Sequence, residues 1–125
     1  MGDTHVRITL TVLLAFMAAS VHAGITPDEI DAAAAEVQPQ VVAWRRWFHE
    51  NPELSNREYK TGEQIAGILR GMGLEPRTGI ARTGVSAIIE GGKPGPLVAI
   101  RADMDGLPVT EQTGLPFASK AMGEY

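Results

Sequence analysis

Cysteine is absent from this chain of 125 residues, which excludes a disulfide framework and thiol chemistry within it. Of three histidines, His5 and His22 lie in the first 23 residues, so His49 is the one histidine of the remainder. Aromatic residues make up 6% of the chain, and its net charge of −4 gives no sign of the basic patch that nucleic-acid binding requires. The hydrophobic and charged fractions, 44% and 21%, are those of an ordinary globular protein, and the length allows at most one domain.

The first 23 residues have the organisation of a secretory signal peptide. Arg7 and the amino terminus provide positive charge, and the apolar stretch over residues 8–21 is shorter than the roughly 18 residues of a membrane-spanning helix. The residues from Val21 to Ala23 favour cleavage before Gly24. We therefore expect a bacterial protein that is exported to the periplasm or secreted, with no membrane association after cleavage. An uncleaved anchor or a buried helix is the alternative.

The first predicted helix begins with a capping box. Thr26 is the cap, Pro27 occupies the first helical position, and Glu29 is placed to bond back to the cap. Apolar residues then recur every three or four positions, which is typical of a helix with one packed face. Pro39 predicts a kink or a break just before it. The helix should end at Asn51, because the proline that follows disfavours helical backbone there.

A second helix is predicted from another capping box, Ser55 to Glu58, which gives Glu58 a structural role. This helix should extend to about Arg70, and Gly73 contributes to its stop. His49 lies in the last turn of the first helix, where a histidine suits the helix dipole. That position favours a structural role for His49 over metal ligation.

Three strands are predicted after the second helix. Residues 74–80 contain a short edge strand, and residues 85–90 form a mostly apolar one. Six loop residues connect the latter to the buried apolar run of residues 97–100, which suits an antiparallel hairpin. The loop contains Lys93 among glycines, but it lacks the spacing and the Ser or Thr of a phosphate-binding loop.

Arg101, Asp103 and Asp105 follow that last strand and precede a Gly-Leu-Pro turn. Asp is disfavoured inside strands, so the pair marks the point where the strand gives way to a loop. On extended backbone the two carboxylates project to the same side and require a cation, a shared proton or water. In α/β sheets ligands bind beyond the C-terminal ends of the strands, which makes this pair the candidate site. Local capping of the turn by the two side chains is the alternative.

Three parts of the chain resemble motifs of the M20 metallopeptidases. They are residues 101–108 (Arg-Ala-Asp-Met-Asp-Gly-Leu-Pro), residues 48–55 (Phe-His-Glu-Asn-Pro-Glu-Leu-Ser) and Glu58. The resemblance is to the amidohydrolase branch, which contains hippurate hydrolases and N-acyl-amino-acid and auxin-conjugate hydrolases. It extends from about Trp44 to Tyr125, and three further segments fit the same pattern in the same order: residues 83–85, 92–96 and 111–119. It implies an α/β fold, the N-terminal part of a zinc-peptidase-like mixed sheet flanked by helices, here two helical segments followed by a β-hairpin.

The resemblance implies that residues 24–125 are a truncated N-terminal portion of the catalytic domain of a metal-dependent amidohydrolase. Its substrates would be N-acyl or N-aroyl amino acids or small peptides, and two divalent ions of Zn, Mn, Co or Ni would serve its chemistry. No histidine or cysteine occurs from residue 51 to residue 125. The metal ligands, the catalytic glutamate and a domain for homodimerisation would therefore lie beyond Tyr125, and the fragment itself would be inactive.

Other branches of the family carry His-x-Asp where this chain has Asp103 and Asp105. The resemblance therefore implies that Asp105 fixes a metal-ligand side chain by a hydrogen bond, and that Asp103 does the same or contacts the metal-bound water. Arg101 could hold either carboxylate in its ionised form, and Glu111 would support the same pocket. No residue of this chain is assigned as a metal ligand.

Two other functions stay open at this point. The chain could be a short secreted module without catalysis, which would bind a partner through its helices and hairpin. It could also be an acid–base enzyme that uses Asp103 and Asp105 as a carboxylate pair without metal. A stop codon after Tyr125 would favour the first of these, and activity that survives chelators would favour the second.

Overall fold

A computed structural model of the chain describes residues 24–121. The predicted signal peptide and residues 122–125 lie outside this described part. The elements in order are α1 (Pro27–Glu50), α2 (Tyr59–Gly71), β1 (Arg77–Ile80) and β2 (Gly84–Ser86). The two strands pair antiparallel, which confirms the expected α/β order of two helical segments followed by a hairpin. The hairpin joins the predicted edge strand to the strand after it, so the hairpin predicted between residues 85–90 and 97–100 is wrong. No helix within the described part is long and apolar enough to cross a membrane.

The capping box at the start of α1 is confirmed in every bond. The backbone nitrogen and the hydroxyl of Thr26 each donate to Oε2 of Glu29 at 2.8 Å, and the nitrogen of Glu29 donates back to the Thr26 hydroxyl at 3.3 Å. These bonds satisfy backbone donors that a helix start leaves without an intrahelical partner. The two hydrogen bonds from Thr26 also lower the pKa of Glu29 below its usual range. Local sequence alone therefore determines where α1 begins.

α1 runs through Pro39 to Glu50, so a break at this proline is excluded and the alternative, a kink, stays a prediction. Proline removes one helical hydrogen bond and crowds the preceding turn, at a cost of about 3 kcal/mol. None of the residues of α1 is buried, so the carbonyl that loses its partner can bond to water instead. The chain divides into two compact units, with the boundary in sequence between Gln38 and Pro39, and the site described below lies entirely in the second unit.

α2 begins at Tyr59, and the predicted capping box from Ser55 to Glu58 is wrong. Asn56 adopts a left-handed conformation, with φ 63°, inside a tight turn that keeps this stretch out of the helix. Glu58 occupies the cap position without making a side-chain cap bond. The cap comes instead from Glu53, whose Oε2 accepts from the nitrogen of Thr61 at 2.7 Å and from its hydroxyl at 2.8 Å.

The end of α2 agrees with the glycine stop that the sequence predicts. Gly73 has a φ of +80°, and its nitrogen donates to the carbonyl of Arg70 at 2.9 Å. The nitrogen of Leu74 donates to the carbonyl of Leu69 at 3.0 Å. This pair of bonds is the Schellman arrangement, which terminates helices at a left-handed glycine.

The hairpin of β1 and β2 packs against α2. Its register pairs Arg77 with Ser86 and Ile80 with Gly84, with an irregularity between the two pairs. At Gly84 an added Cβ would lie 2.6 Å from the carbonyl oxygen of Ile80, so the turn closes only around a glycine. The small core lies on the inner face of α2, where three residues are buried: Thr61, Gly62 and Ala66.

The strand predicted over residues 97–100 is absent, which is the largest difference between the expected fold and the structure. β2 ends at Ser86, and residues 87–105 contain no strand. The run of residues 97–100, predicted to be buried, is exposed, with Leu97 94% and Ile100 96% accessible. An apolar run becomes a buried strand only when neighbouring strands satisfy its backbone and cover its side chains. Within the described residues no strand lies beside this run.

Candidate functional site

The segment that carries the two aspartates lies along the loop that follows α1. The nitrogen of Gly106 donates to the carbonyl of Glu53 at 2.6 Å, and Leu54 and Gly106 form a parallel β-bridge. A Cβ at Gly106 would lie 2.7 Å from Cβ of Pro52, so the two backbones approach as closely as a glycine allows. This contact fixes the chain immediately after Asp105 on a loop that begins where α1 ends.

Asp103 and Asp105 line one cavity of about 400 Å³. α1 contributes Arg45 and Phe48 to its wall, and α2 contributes Ile65. The structure therefore brings both predicted site residues to the same cavity, although the strand expected to deliver them is not formed. The lining of this cavity is: Arg45, Phe48, Pro52, Thr61, Ile65, Ala102, Asp103, Met104, Asp105 and Gly106.

The two carboxylates have different surroundings. Asp103 accepts an ion pair from Arg101, with Oδ1 2.6 Å from the guanidinium nitrogen, in an exposed position. Of the two carboxylates that Arg101 was expected to be able to hold, it therefore binds that of Asp103. For Asp105, residues 24–121 provide neither a hydrogen-bond donor nor an ion-pair partner. Asp105 can thus accept a hydrogen bond from a group that enters the cavity.

Arg45 is a cavity residue that the sequence analysis missed, because it lies off the apolar stripe of α1. Its guanidinium carbon lies 5.9 Å from the centre of the Phe117 ring. A signal for its position was present, since Arg45 and Phe48 are three residues apart and therefore share a helix face. Arg45 places a fixed positive charge in the wall of the cavity that holds both aspartates.

His49 and Glu111 form a second polar pair, joined by Nε2 and Oε2 at 2.8 Å. Oε2 of Glu111 also accepts from the nitrogen of Ser119 at 2.6 Å, and its Oε1 accepts from the hydroxyl of Thr113. The Thr113 hydroxyl, followed by the Ser119 amide and His49, lowers the pKa of Glu111 to about 2. An ionised Glu111 can only accept, so Nε2 of His49 carries the proton and donates it.

Glu111 does not line the cavity of the aspartates, so its predicted support of that pocket is not a direct contact and stays a prediction. With His49 it lines a neighbouring cavity of about 560 Å³. Three residues line both cavities and separate them: Phe48, Pro52 and Gly106. Glu111 is close to Asp105 in sequence, but its bond to His49 directs its side chain towards the end of α1.

Glu58 has the structural role that the sequence predicts, but with a different partner. Its buried side chain, 6% exposed, accepts from the hydroxyl of Thr83 at 2.7 Å. This bond connects the start of α2 to the turn of the hairpin. The same hydroxyl is the main reason that the pKa of Glu58 is lowered.

The described residues do not by themselves fit a metal centre. Between residues 24 and 121 there is no group of three or more His, Asp or Glu side chains that could hold an ion. Zinc in proteins generally takes three or four such ligands. Here one carboxylate is bound to Arg101 and the other has no neighbouring ligand, so no catalytic step through a metal is derived from these residues.

No family model matches the chain. Individual relatives do match. The chain is 46% identical over 89 residues to the thermostable carboxypeptidase 2 of Saccharolobus solfataricus, a match that covers 70% of this chain and 23% of the relative. It is 42% identical over 99 residues to the N-acyl-L-amino acid amidohydrolase of Geobacillus stearothermophilus, which covers 79% of this chain and 27% of that protein.

A solved structure shares the fold. The crystal structure of the Bacillus subtilis YXEP protein, a dinuclear metal binding peptidase from the M20 family, superposes with a TM-score of 0.66 and 43% sequence identity. The match covers 71% of this chain and 25% of that one. The chain thus spans about a quarter of the length of the relatives that it matches.

Proposed function

We propose that this chain, which belongs to the M20 family of metallopeptidases and amidohydrolases, is part of a hydrolase that cleaves the amide bond of N-acyl or N-aroyl amino acids or small peptides. The observation that carries the proposal is the placement of Asp103 and Asp105 in one cavity. The matches to an N-acyl-amino-acid amidohydrolase and to a carboxypeptidase support the substrate class.

The proposed chemistry requires two divalent ions in the parent protein, of Zn, Mn, Co or Ni, which would polarise the scissile carbonyl and activate water. The dinuclear site of the Bacillus subtilis relative supports this requirement. Ligands for the ions would come mainly from parts of the parent other than the described residues, which lack a ligand set of their own.

Asp105 is proposed to accept a hydrogen bond from the N–H of a metal-ligand side chain and so to fix its orientation and raise its basicity. The absence of a partner for Asp105 within the described residues supports this role, because the carboxylate is available to an incoming donor. Asp103, oriented by its ion pair with Arg101, is proposed to assist the same ligand or to contact the metal-bound water.

Export and assembly are further proposals. The apolar leader of residues 1–23 supports transfer to the periplasm or the exterior, which fractionation of a bacterial host with an antibody to the mature chain would test. A homodimer of the parent, formed through a domain not included in this chain, would be detected by light scattering coupled to gel filtration.

The test of function is a hydrolysis assay on the product of the complete reading frame that contains this chain. N-acetyl and N-benzoyl amino acids are offered with each of the four metals, and release of the free amino acid is measured. We expect activity that a chelator abolishes and added metal restores. Asp105→Asn should reduce kcat/KM by about 10- to 100-fold, whereas the matched control Asp31→Asn, an exposed residue of α1, should retain wild-type activity.

Each opposite result favours a different function. Activity that survives the chelator would support an acid–base enzyme that uses Asp103 and Asp105 without metal. No hydrolysis of any substrate with any metal would favour the noncatalytic binding module. Equal losses in Asp105→Asn and Asp31→Asn would remove the argument for the role of Asp105.

A further inference from the structure

We propose that His49 and Glu111 are a positioning pair, which holds residues 103–106 in place by clamping the chain that follows them onto the end of α1. The inference rests on the proposed function, since the position of Asp103 and Asp105 matters only if they act on a ligand in their cavity. Neither His49 nor Glu111 lines that cavity, so the pair acts through the backbone and not by contact with a substrate.

The segment of residues 106–111 is attached at two points to residues 49–53, at the end of α1 and in the loop after it. The first point is the bond of 2.6 Å from the nitrogen of Gly106 to the carbonyl of Glu53. The second is the bond of 2.8 Å between His49 and Glu111. Residues 49–53 and 106–111 thus form a closed ring with the larger cavity of about 560 Å³ between them. Without the second point, no hydrogen bond in the described part of the chain would join residues 107–116 to α1.

Glu111 is fixed on its own side of the ring. Its side chain is only 12% exposed, and two donors from its own segment, Thr113 and Ser119, orient the carboxylate. His49, 39% exposed, is the donor that reaches it across the ring from α1. The bond is charge-assisted, and such bonds are stronger than neutral ones. His49 therefore joins this oriented carboxylate to the last turn of α1.

The segment beyond Glu111 adds independent contacts with the same end of α1. The nitrogen of Lys120 donates to the carbonyl of Glu50 at 2.9 Å, and its Nζ pairs with the Glu50 carboxylate at 2.8 Å. The ring of Phe117 lies 5.7 Å from that of His49 and 4.8 Å from the guanidinium carbon of Arg46. His49 is thus packed by an aromatic edge as well as bonded, so its ring has a defined orientation.

Hydrogen exchange followed by mass spectrometry tests the clamp directly, on the product of the complete reading frame. In His49→Ala we expect exchange in the peptide that contains Gly106 to rise about fivefold, the ratio typical of one lost hydrogen bond. His49→Gln places an amide donor near the position of Nε2 and should restore wild-type exchange. The control Thr83→Val removes a side-chain bond of similar length, between the hairpin turn and Glu58, and should leave this peptide unchanged.

Hydrogen exchange of the α2 peptides, measured in the same variant, shows whether the whole fold has been destabilised. A rise confined to the Gly106 peptide, with α2 unchanged and with rescue by His49→Gln, supports the proposal. Unchanged exchange in His49→Ala overturns it. An equal rise over α2 and the Gly106 peptide also overturns it, because His49 would then contribute only to general stability.

Kinetics of the same variants separate this inference from the proposed function. His49→Ala should lower kcat about tenfold and leave KM unchanged, as expected when a group that orients a metal ligand is displaced. Equal losses in His49→Ala and Thr83→Val would overturn the positioning role. If the wild-type protein hydrolyses no N-acyl amino acid, the proposed function fails, and the exchange of the Gly106 peptide still decides whether the clamp exists.

Discussion

Glu53 caps α2 from outside the helix, since one of its carboxylate oxygens accepts both the nitrogen and the hydroxyl of Thr61, at 2.7 Å and 2.8 Å. The same residue accepts the nitrogen of Gly106 on its backbone carbonyl. Glu53 therefore connects the start of α2 to the segment that carries the aspartates. A single residue with both contacts couples the placement of the helix to that of the candidate site.

Because Glu53 and not Ser55 caps α2, replacing Glu53 should destabilise the protein more than replacing Ser55. Glu53→Ala should lower the free energy of unfolding by about 1–2 kcal/mol, the usual cost of removing a helix cap. Ser55→Ala, which removes the residue that the sequence marked as the cap, should change it by less than about 0.5 kcal/mol. Urea unfolding followed by far-UV circular dichroism measures both. A larger loss for Ser55→Ala would contradict the cap seen in the structure.

The pKa of Glu111 predicts an acid-sensitive contribution to stability. The pKa is about 2 in the folded protein against an ordinary value of 4.5, so this group stabilises the fold fully above about pH 4.5. The contribution is lost as the pH falls from 4.5 towards 2, because the folded carboxylate must then take up a proton.

Carbon-13 NMR of the Glu111 carboxyl group measures this titration. Thr113→Val removes the hydroxyl that contributes most to the shift, so it should raise the pKa and flatten the loss of stability between pH 4.5 and pH 2. Thr110→Val, which makes no bond to Glu111, is the matched control. An unchanged titration in Thr113→Val would show that the hydroxyl is not the cause.

The turn of the hairpin offers a stabilising substitution. Ala81 and Arg82 have φ angles of 47° and 95°, in the region that favours glycine. Arg82→Gly should raise the free energy of unfolding by about 1 kcal/mol, since the Cβ penalty of left-handed backbone is removed. Gly79→Ala, at φ +74°, should lower it by a similar amount. Thermal unfolding measures the change in stability of each variant. Changes of the same sign would contradict the left-handed backbone at these two positions.

The exposed run of residues 97–100 predicts self-association of the isolated chain. Leu97 and Ile100 are almost fully accessible, and an unpaired, uncharged, apolar segment is a template for pairing with another copy. Leu97→Lys with Ile100→Lys should shift the chain towards monomer in light scattering. Thr78→Lys with Gln40→Lys, at two exposed positions, is the control that adds the same charge elsewhere. Equal effects of the two changes would show that net charge, and not this run, controls association.

Local features of the fold were predictable because the atoms that decide them are close in sequence. The bonds that start α1 lie within three residues, from Thr26 to Glu29, and the glycine that ends α2 follows the helix directly. The cap of α2 was not predictable in this way. Glu53 is eight residues from Thr61, and it reaches the helix only because the turn at Asn56 redirects the chain.

The sequence predicted that Asp103 and Asp105 lie together, but it did not predict what surrounds them. Two aspartates after an apolar run indicated a cavity, and Asp103 and Asp105 do share one. An apolar run does not specify which strands will cover it, so the strand expected before them was wrong. The clamp could not be predicted either, because His49 and Glu111 are 62 residues apart and their pairing depends on the whole intervening fold.

The bond between Lys120 and Glu50 also has a consequence for synthesis on the ribosome. The two residues are 70 positions apart. At about 5–20 residues per second, translation needs roughly 4–14 s to pass from Glu50 to Lys120, a separation of 70 residues. During that time the hairpin and α2 can form from contacts close in sequence. The end of α1 still lacks its contact with Lys120. A nascent chain stalled before residue 120 should therefore present the final turn of α1 to chaperones and proteases, and completion of that segment should withdraw it.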